Sequence, residues 1–165
     1  MTSITTTQQI SIAKQLRLCI LSFNGTEILI AKNEVSLVNA GYVFEKNSPA
    51  DTHLGYISDA EKKINLYGFS STLELIKFYP VEKSQCIITR HARGEIAILC
   101  QDIKEITLKS IHTQPVPECM RSTNMPLTHL CLYQNAHNEQ KMGMISNADT
   151  LFNYILNYTD KVKKS

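Results

Sequence analysis

The sequence predicts a mainly β protein, with two small barrel halves related by an internal repeat and a helix at the C-terminal end. Three observations predict it. Short β-branched and aliphatic runs recur with turn residues between them. The runs in 16–38 and 84–106 lie on each other without a gap. The stretch after Ser146 places its apolar residues at helical spacing.

Residues 1–15 are rich in Thr, Gln and Ser and read as a flexible N-terminal tail, because Ile4, Ile10 and Ile12 are too sparse to define a buried face. From Leu16 the pattern changes: LRLCILSF, the turn Asn24-Gly25 and TEILIA form a β-hairpin. KNEVSLV follows as a third strand after one helical or bulged turn. Gly41, Asn47, Ser48, Pro49 and Asp51 mark 41–52 as a surface loop. HLGYIS is a short strand. INLYGF and STLELIKF are two further apolar runs, the second ambiguous between strand and helix, and Pro80 closes the first half.

A similar order returns from Ser84: QCIITRH, the turn Ala92-Arg93-Gly94, EIAILC and QDIKEITLKSI. Pro115, Pro117 and Pro126 make 112–127 an extended connector, since proline lacks the donor that a ladder or helix needs. LTHLCLYQ and KMGMIS form a last strand pair. Asn147 or Asp149 then caps an amphipathic helix carrying Leu151, Tyr154, Ile155 and Tyr158 on one side. The expected division is a tail at 1–15, half-barrels at roughly 16–80 and 84–146, a closing helix at 147–158 and a tail at 159–165.

The repeat is the strongest signal. Glu27 falls on Glu95, so that the offset is 95 − 27 = 68 residues. At that offset Ile20 meets Ile88, Ile28 meets Ile96, Ile30 meets Ile98, Glu34 meets Asp102, Val35 meets Ile103 and Val38 meets Ile106. Any two isoleucine-rich hairpins can match in part, but the length of this ungapped match favours one supersecondary unit used twice. Each unit is too small to cover its apolar faces alone, so the two pack together. Two five-stranded barrels side by side leave a groove and strand edges, surfaces that suit protein docking.

Composition narrows the function. The chain has 165 residues, 17 basic against 15 acidic, with 43% hydrophobic and 19% charged residues. That is globular, and the interspersed charge argues against a polyanionic partner. Five cysteines, Cys19, Cys86, Cys100, Cys119 and Cys131, are an odd and widely spaced set that fits free thiols in the cytoplasm. No secretory signal and no membrane-spanning run is evident, so direct membrane insertion is not expected.

Catalytic patterns are missing. There is no Cys-x-x-Cys or His-x-x-x-His spacing, and His129 with Cys131 supplies only two ligands, so no metal or other cofactor is expected. Cys19, Cys86 and Cys100 sit within apolar strands and read as small core residues, leaving Cys119 as the exposed thiol. The six glycines are scattered singly, without a phosphate loop. Asp102 and Glu105 suit a solvated strand end, and Lys161, Lys163 and Lys164 complement a helix C-terminus. No enzymatic activity is expected.

LCILSFNGTEILIAKNEVSLV, LGYISDAEKKINLYGF and ITRHARGEIAILCQDIKEI, in this order and spacing, resemble successive landmarks of the CheW-like chemotaxis coupling family, over about residues 16–157. The resemblance implies two SH3-like five-stranded barrels and a non-catalytic adapter. Its partners would be the regulatory domain of a CheA-type histidine kinase and the cytoplasmic tip of a chemoreceptor, in chemotaxis or twitching motility. Departures matter here. Ser58, Asp59, Ala60 and Glu61 stand where the family carries Asn-Leu-Arg-Gly, so Ala60 replaces a directional guanidinium and receptor coupling of the usual kind is put in question. Leu37 stands where a glutamate is common, which makes that strand more apolar.

The expected partner-binding residues are accordingly Val35, Leu37 and Val38, on a strand facing the groove between the barrels, and Tyr56, Asp59 and Ala60 at the turn matching the family's coupling turn. Val35 and Val38 have an equally good reading as barrel core. A competing function is a small-barrel nucleic-acid-binding protein. The 7% aromatic content, the absence of Trp and the even charge count against it, and no nucleic-acid partner is expected.

Overall fold

A computed structural model of the chain describes residues 8–38, 43–46, 54–59, 62–76, 85–122 and 124–163. Strand β1 (Gln8–Phe23) turns through Asn24 and Gly25 into β2 (Thr26–Ala31). Both turn residues have positive φ, 49° and 94°, the hand that matches the twist of the flanking strands. A single 3-10 turn, Lys32–Glu34, leads to β3 (Val35–Leu37). Then follow β4 (Val43–Lys46), β5 (Gly55–Asp59), β6 (Lys62–Phe69) and the short β7 (Leu75–Ile76). The second series is β8 (Gln85–His91), β9 (Gly94–Cys100), β10 (Asp102–Pro115), β11 (His129–Gln134) and β12 (Gln140–Ile145), closed by helix α1 (Ala148–Lys163).

The strands form a closed barrel in the order β1-β10-β11-β12-β2, and a second sheet in the order β3-β8-β9-β6-β5-β4 with β7 on β6. The repeat holds at the level of register. Phe23 faces Thr26 and Leu18 faces Ala31 in the first hairpin, while His91 faces Gly94 and Cys86 faces Leu99 in the second, each pair displaced by the same 68 positions (91 − 23).

The third strand of each copy keeps its register but changes host. Val35 pairs with Thr89 of β8, and its counterpart Ile103 pairs with Leu21 of β1. The barrels are therefore interleaved, which corrects the expectation of consecutive halves at 16–80 and 84–146. Chain reach explains it. Beside the outer edge of its own hairpin, β3 would run parallel to β1 and need a crossover of about a dozen residues. The connection from β2 is the three-residue turn Lys32–Glu34, so β3 pairs antiparallel with the other copy instead.

Pairing beyond the hairpins follows the same plan twice. In the barrel, the far end of β10 places His112 opposite Leu132 and Pro115 opposite His129. In the second sheet, β4 places Val43 opposite Ser58 and Lys46 opposite Gly55. Strands β3 and β4 together are thus the counterpart of the single long β10. Strand β4 lies inside the stretch expected to be a surface loop, and β10 runs on to Pro115, into the expected connector. Pro115 can hold the last ladder position because a strand end tolerates a missing donor.

Strands β1, β2, β8 and β9 are apolar on both faces because each face meets a different core. Leu21, Phe23, Ile28, Ile30, Ile87, Ile98 and Phe69 fill the space between the two sheets, where Leu151 and Ile155 of α1 join them. Their neighbours point the other way: Ile20 and Leu29 into the first barrel, Ile88, Ala97 and Leu99 into the second. This produces continuous apolar runs instead of strict alternation.

The ends are longer than expected. Residues 8–15 continue β1, with Gln8 opposite Thr113 and Ser11 opposite Ser110, in place of a flexible tail. Helix α1 continues to Lys163, past the expected boundary at 158. Asn147 is its cap, its Oδ1 accepting from the Thr150 N–H at 2.7 Å. Glu34 Oε1 accepts from the Ala148 N–H at 3.3 Å, tying the 3-10 turn to the helix start. The Tyr154 hydroxyl donates to the Leu73 carbonyl at 2.9 Å. His91 stacks on Phe152 with ring centroids 4.7 Å apart, and its Nε2 lies 2.6 Å from Asp149 Oδ1.

One glycine is required by packing. A Cβ on Gly143 would stand 2.7 Å from Leu29 Cδ1 and 3.3 Å from Cys131 Sγ, both inside the first barrel. Leu29 is fully buried and cannot swing aside. Gly143→Ala is expected to lower stability by about 1–3 kcal/mol, read as a lower urea midpoint at unchanged slope.

Candidate functional site

Val35 and Leu37 of β3 and Val38 just beyond it divide between two environments. Val35 is half-buried and packs on the core between the sheets, whereas Val38 is half-buried against the second barrel's interior, its N–H donating to the Cys86 carbonyl at 3.0 Å. The core reading therefore describes both valines. Leu37 is the one that faces outward, 47% exposed, on the same side of the strand as Val35. Folding gains little from a large aliphatic side chain at that exposure on a three-residue terminal strand.

Tyr56 lies on β5, opposite Glu45 of β4 and Asn65 of β6, and is half-buried with the Lys63 ammonium 5.8 Å from its ring centroid. Asp59 ends β5 opposite Lys62. Ala60 lies outside the described residues. Leu37 pairs with Ile87 of β8, whereas Tyr56 and Asp59 lie on β5, which pairs with β4 and β6.

An apolar feature on the first barrel was not anticipated. Met142, 75% exposed, stands directly opposite Leu132, 40% exposed, and His112 continues the row on β10. KMGMIS announces a strand, but nothing in its alternation says that Met142 is the outward member.

The thiol chemistry is that of packing. Burial pushes the Cys86 thiol up to about 12 and the Cys131 thiol up to about 11. Burial raises Cys19 and holds Cys100 well above the ordinary thiol range. None of these four is poised as a thiolate nucleophile. Cys119 is exposed. Among the described residues no three His, Cys, Asp or Glu side chains converge as metal ligands, and no helix there is long and apolar enough to cross a membrane.

No protein-family model matches the sequence, and no curated protein matches it. Solved structures do. The crystal structure of the scaffolding protein TtCheW from Thermoanaerobacter tengcongensis superimposes with a TM-score of 0.57, covering 81% of this chain and 89% of that one at 13% identity. The chain has the CheW fold. At 13% identity, what the two are shown to share is the fold.

Proposed function

We propose that the chain is a non-catalytic cytoplasmic adapter that couples chemoreceptors to a CheA-type histidine kinase in chemotaxis or twitching-motility signalling. The observation that carries this reading is the CheW fold itself, spanning nearly the whole length of a scaffolding protein. Thiol pKa values raised by burial at Cys19, Cys86, Cys100 and Cys131 fit packing roles for these cysteines.

Docking of the kinase regulatory domain is assigned to the β3 strand, with Leu37 as its exposed anchor and Val35 and Val38 holding the chain against two different cores. Tyr56, Asp59 and Ala60 form the second contact, altered for receptor recognition because a methyl group at Ala60 cannot replace a guanidinium fork. The kinase arm is thus retained more fully than the receptor arm.

Leu37→Lys is the direct test. Calorimetry against a CheA-type regulatory domain is expected to show binding that changes little with salt and weakens about tenfold or more in the variant, while circular dichroism and the urea midpoint stay unchanged. An insoluble or unfolded variant would make Leu37 a core residue. Binding of a short oligonucleotide with a steep salt dependence would replace the adapter reading by a nucleic-acid one.

A further inference from the structure

The two sides of the first barrel are not equally closed, and the gap has a specific cause. In β1, residues 12–15 are accommodated between Ser11 and Leu16, where the partner strand β10 has only Lys109 between Ser110 and Leu108. Such a bulge kinks the pair and re-aims its neighbours. The burial of β10 changes step at the same place: Leu108 and Ile111 are buried, with Lys109 and Ser110 exposed between them. Beyond the kink β10 pairs with β11 only from His112 to Pro115. Along Thr107–Ile111 β10 pairs with β1 alone, and Tyr133 and Gln134 of β11 pair with β12 alone.

A cleft of about 570 Å³ opens between these two strand edges. Its rims are backbone edges, which is what an incoming strand recognises. Lys109 and His112 are the basic side chains lining it, and no carboxylate lines it among the described residues. The nearest acid in sequence, Glu139, is held by Asn135 Nδ2 at 3.2 Å and lies 3.8 Å from Lys141. A smaller recess of about 180 Å³ shares His112 and Leu132 with the cleft and adds Leu130 and Met142, so an apolar seat adjoins the cationic one.

From this juxtaposition we infer that the cleft captures an extended acidic peptide, which adds as a strand between β10 and β11 with its carboxylates at Lys109 and an apolar side chain over Leu132 and Met142. The open edge of β10 spans roughly 17 Å, so about five residues of the peptide make the ladder. This docking site goes beyond the adapter reading and lies on different strands from Leu37.

The test uses the full chain and synthetic peptides of about eight residues. One alternates Glu and Val, one alternates Lys and Val, and one is the Glu/Val peptide with two central valines replaced by proline. The Glu/Val peptide is expected to bind and to shift the amide resonances of Thr107–Ser110 and Tyr133–Ala136. Lys109→Glu, an exposed substitution whose fold is checked by circular dichroism, is expected to weaken it about tenfold or more. The proline peptide keeps the charge but loses ladder donors, and is expected to bind at least about tenfold more weakly. No binding, equal binding of the Lys/Val or proline peptide, shifts that map elsewhere, or an oligonucleotide that moves the same amides would each overturn the proposal.

Discussion

Fragments 1–80 and 84–165, produced separately, are expected to remain unfolded, and mixing them is expected to restore the β-sheet circular dichroism spectrum. Each cut end would be left with unpaired edges along most of its length. β1 would lose β10, which it pairs from Gln8 to Ser22, and β2 would lose β12. In the second sheet β3 would lose β8 and β6 would lose β9. The core between the sheets would be divided as well, with Leu21, Phe23, Ile28 and Ile30 on one fragment and Ile87, Ile98, Leu151 and Ile155 on the other. At about 1.5–3 kcal/mol for each large side chain left exposed, the loss over these eight is about 12–24 kcal/mol, comparable to or larger than the 5–15 kcal/mol that holds a domain together. A cooperative urea transition for 84–165 alone would contradict the exchange of third strands.

The repeat was legible because its signal is local. A hairpin needs apolar residues at fixed distances from a turn, and the two-residue turns Asn24-Gly25 and Ala92-Arg93, 68 positions apart, mark those distances in both copies. The exchange of β3 and β10 was not legible, because Val35 and Ile103 specify a strand without specifying its neighbour. Partner choice is decided by the length of the Lys32–Glu34 link and by which edge lies within its reach. Residues 8–15 went unread as strand for a related reason: their ladder to β10 is made by backbone groups, which leave no mark on a Thr- and Gln-rich sequence. At the candidate site the sequence placed Val35, Leu37 and Val38 on one strand but did not separate them: alternation puts Leu37 on the side of Val35, and its exposure comes from its place at the end of β3, while the opposite orientations of Val35 and Val38 could be assigned only once two separate cores were known. The cleft beside Lys109 depends on a bulge in a partner strand far away in sequence, and no pattern around Lys109 itself reports it.

Stability is expected to be level near neutral pH and to fall as pH rises from about 9 to about 11, through ionisation of buried thiols and phenols. In the unfolded chain a thiol ionises near 9.0 and a tyrosine near 10.0. Burial is the leading cause of a raised pKa at Cys19, Cys86, Cys100, Cys131, Tyr67, Tyr133 and Tyr154. At Cys100 the neighbouring Cys86, Asp102 and Cys19 reinforce it, and at Tyr133 the carboxylate of Glu27 does so. Above pH 9 the unfolded chain therefore binds fewer protons than the native one, which makes the slope of unfolding free energy against pH negative. The stability these groups contribute is complete below the unfolded values and is lost as pH climbs towards about 11 for Cys131 and about 12 for Cys86. Each group that stays protonated in the native state steepens the fall by up to about 1.4 kcal/mol per pH unit. Urea midpoints measured at half-unit steps from about pH 8 to about pH 11 check the slope, and Cys86→Ala is expected to flatten it relative to the native chain. A midpoint that holds constant to about pH 11 would mean that these thiols reach solvent, and with that the packing of β8 and β9 between two cores would be wrong.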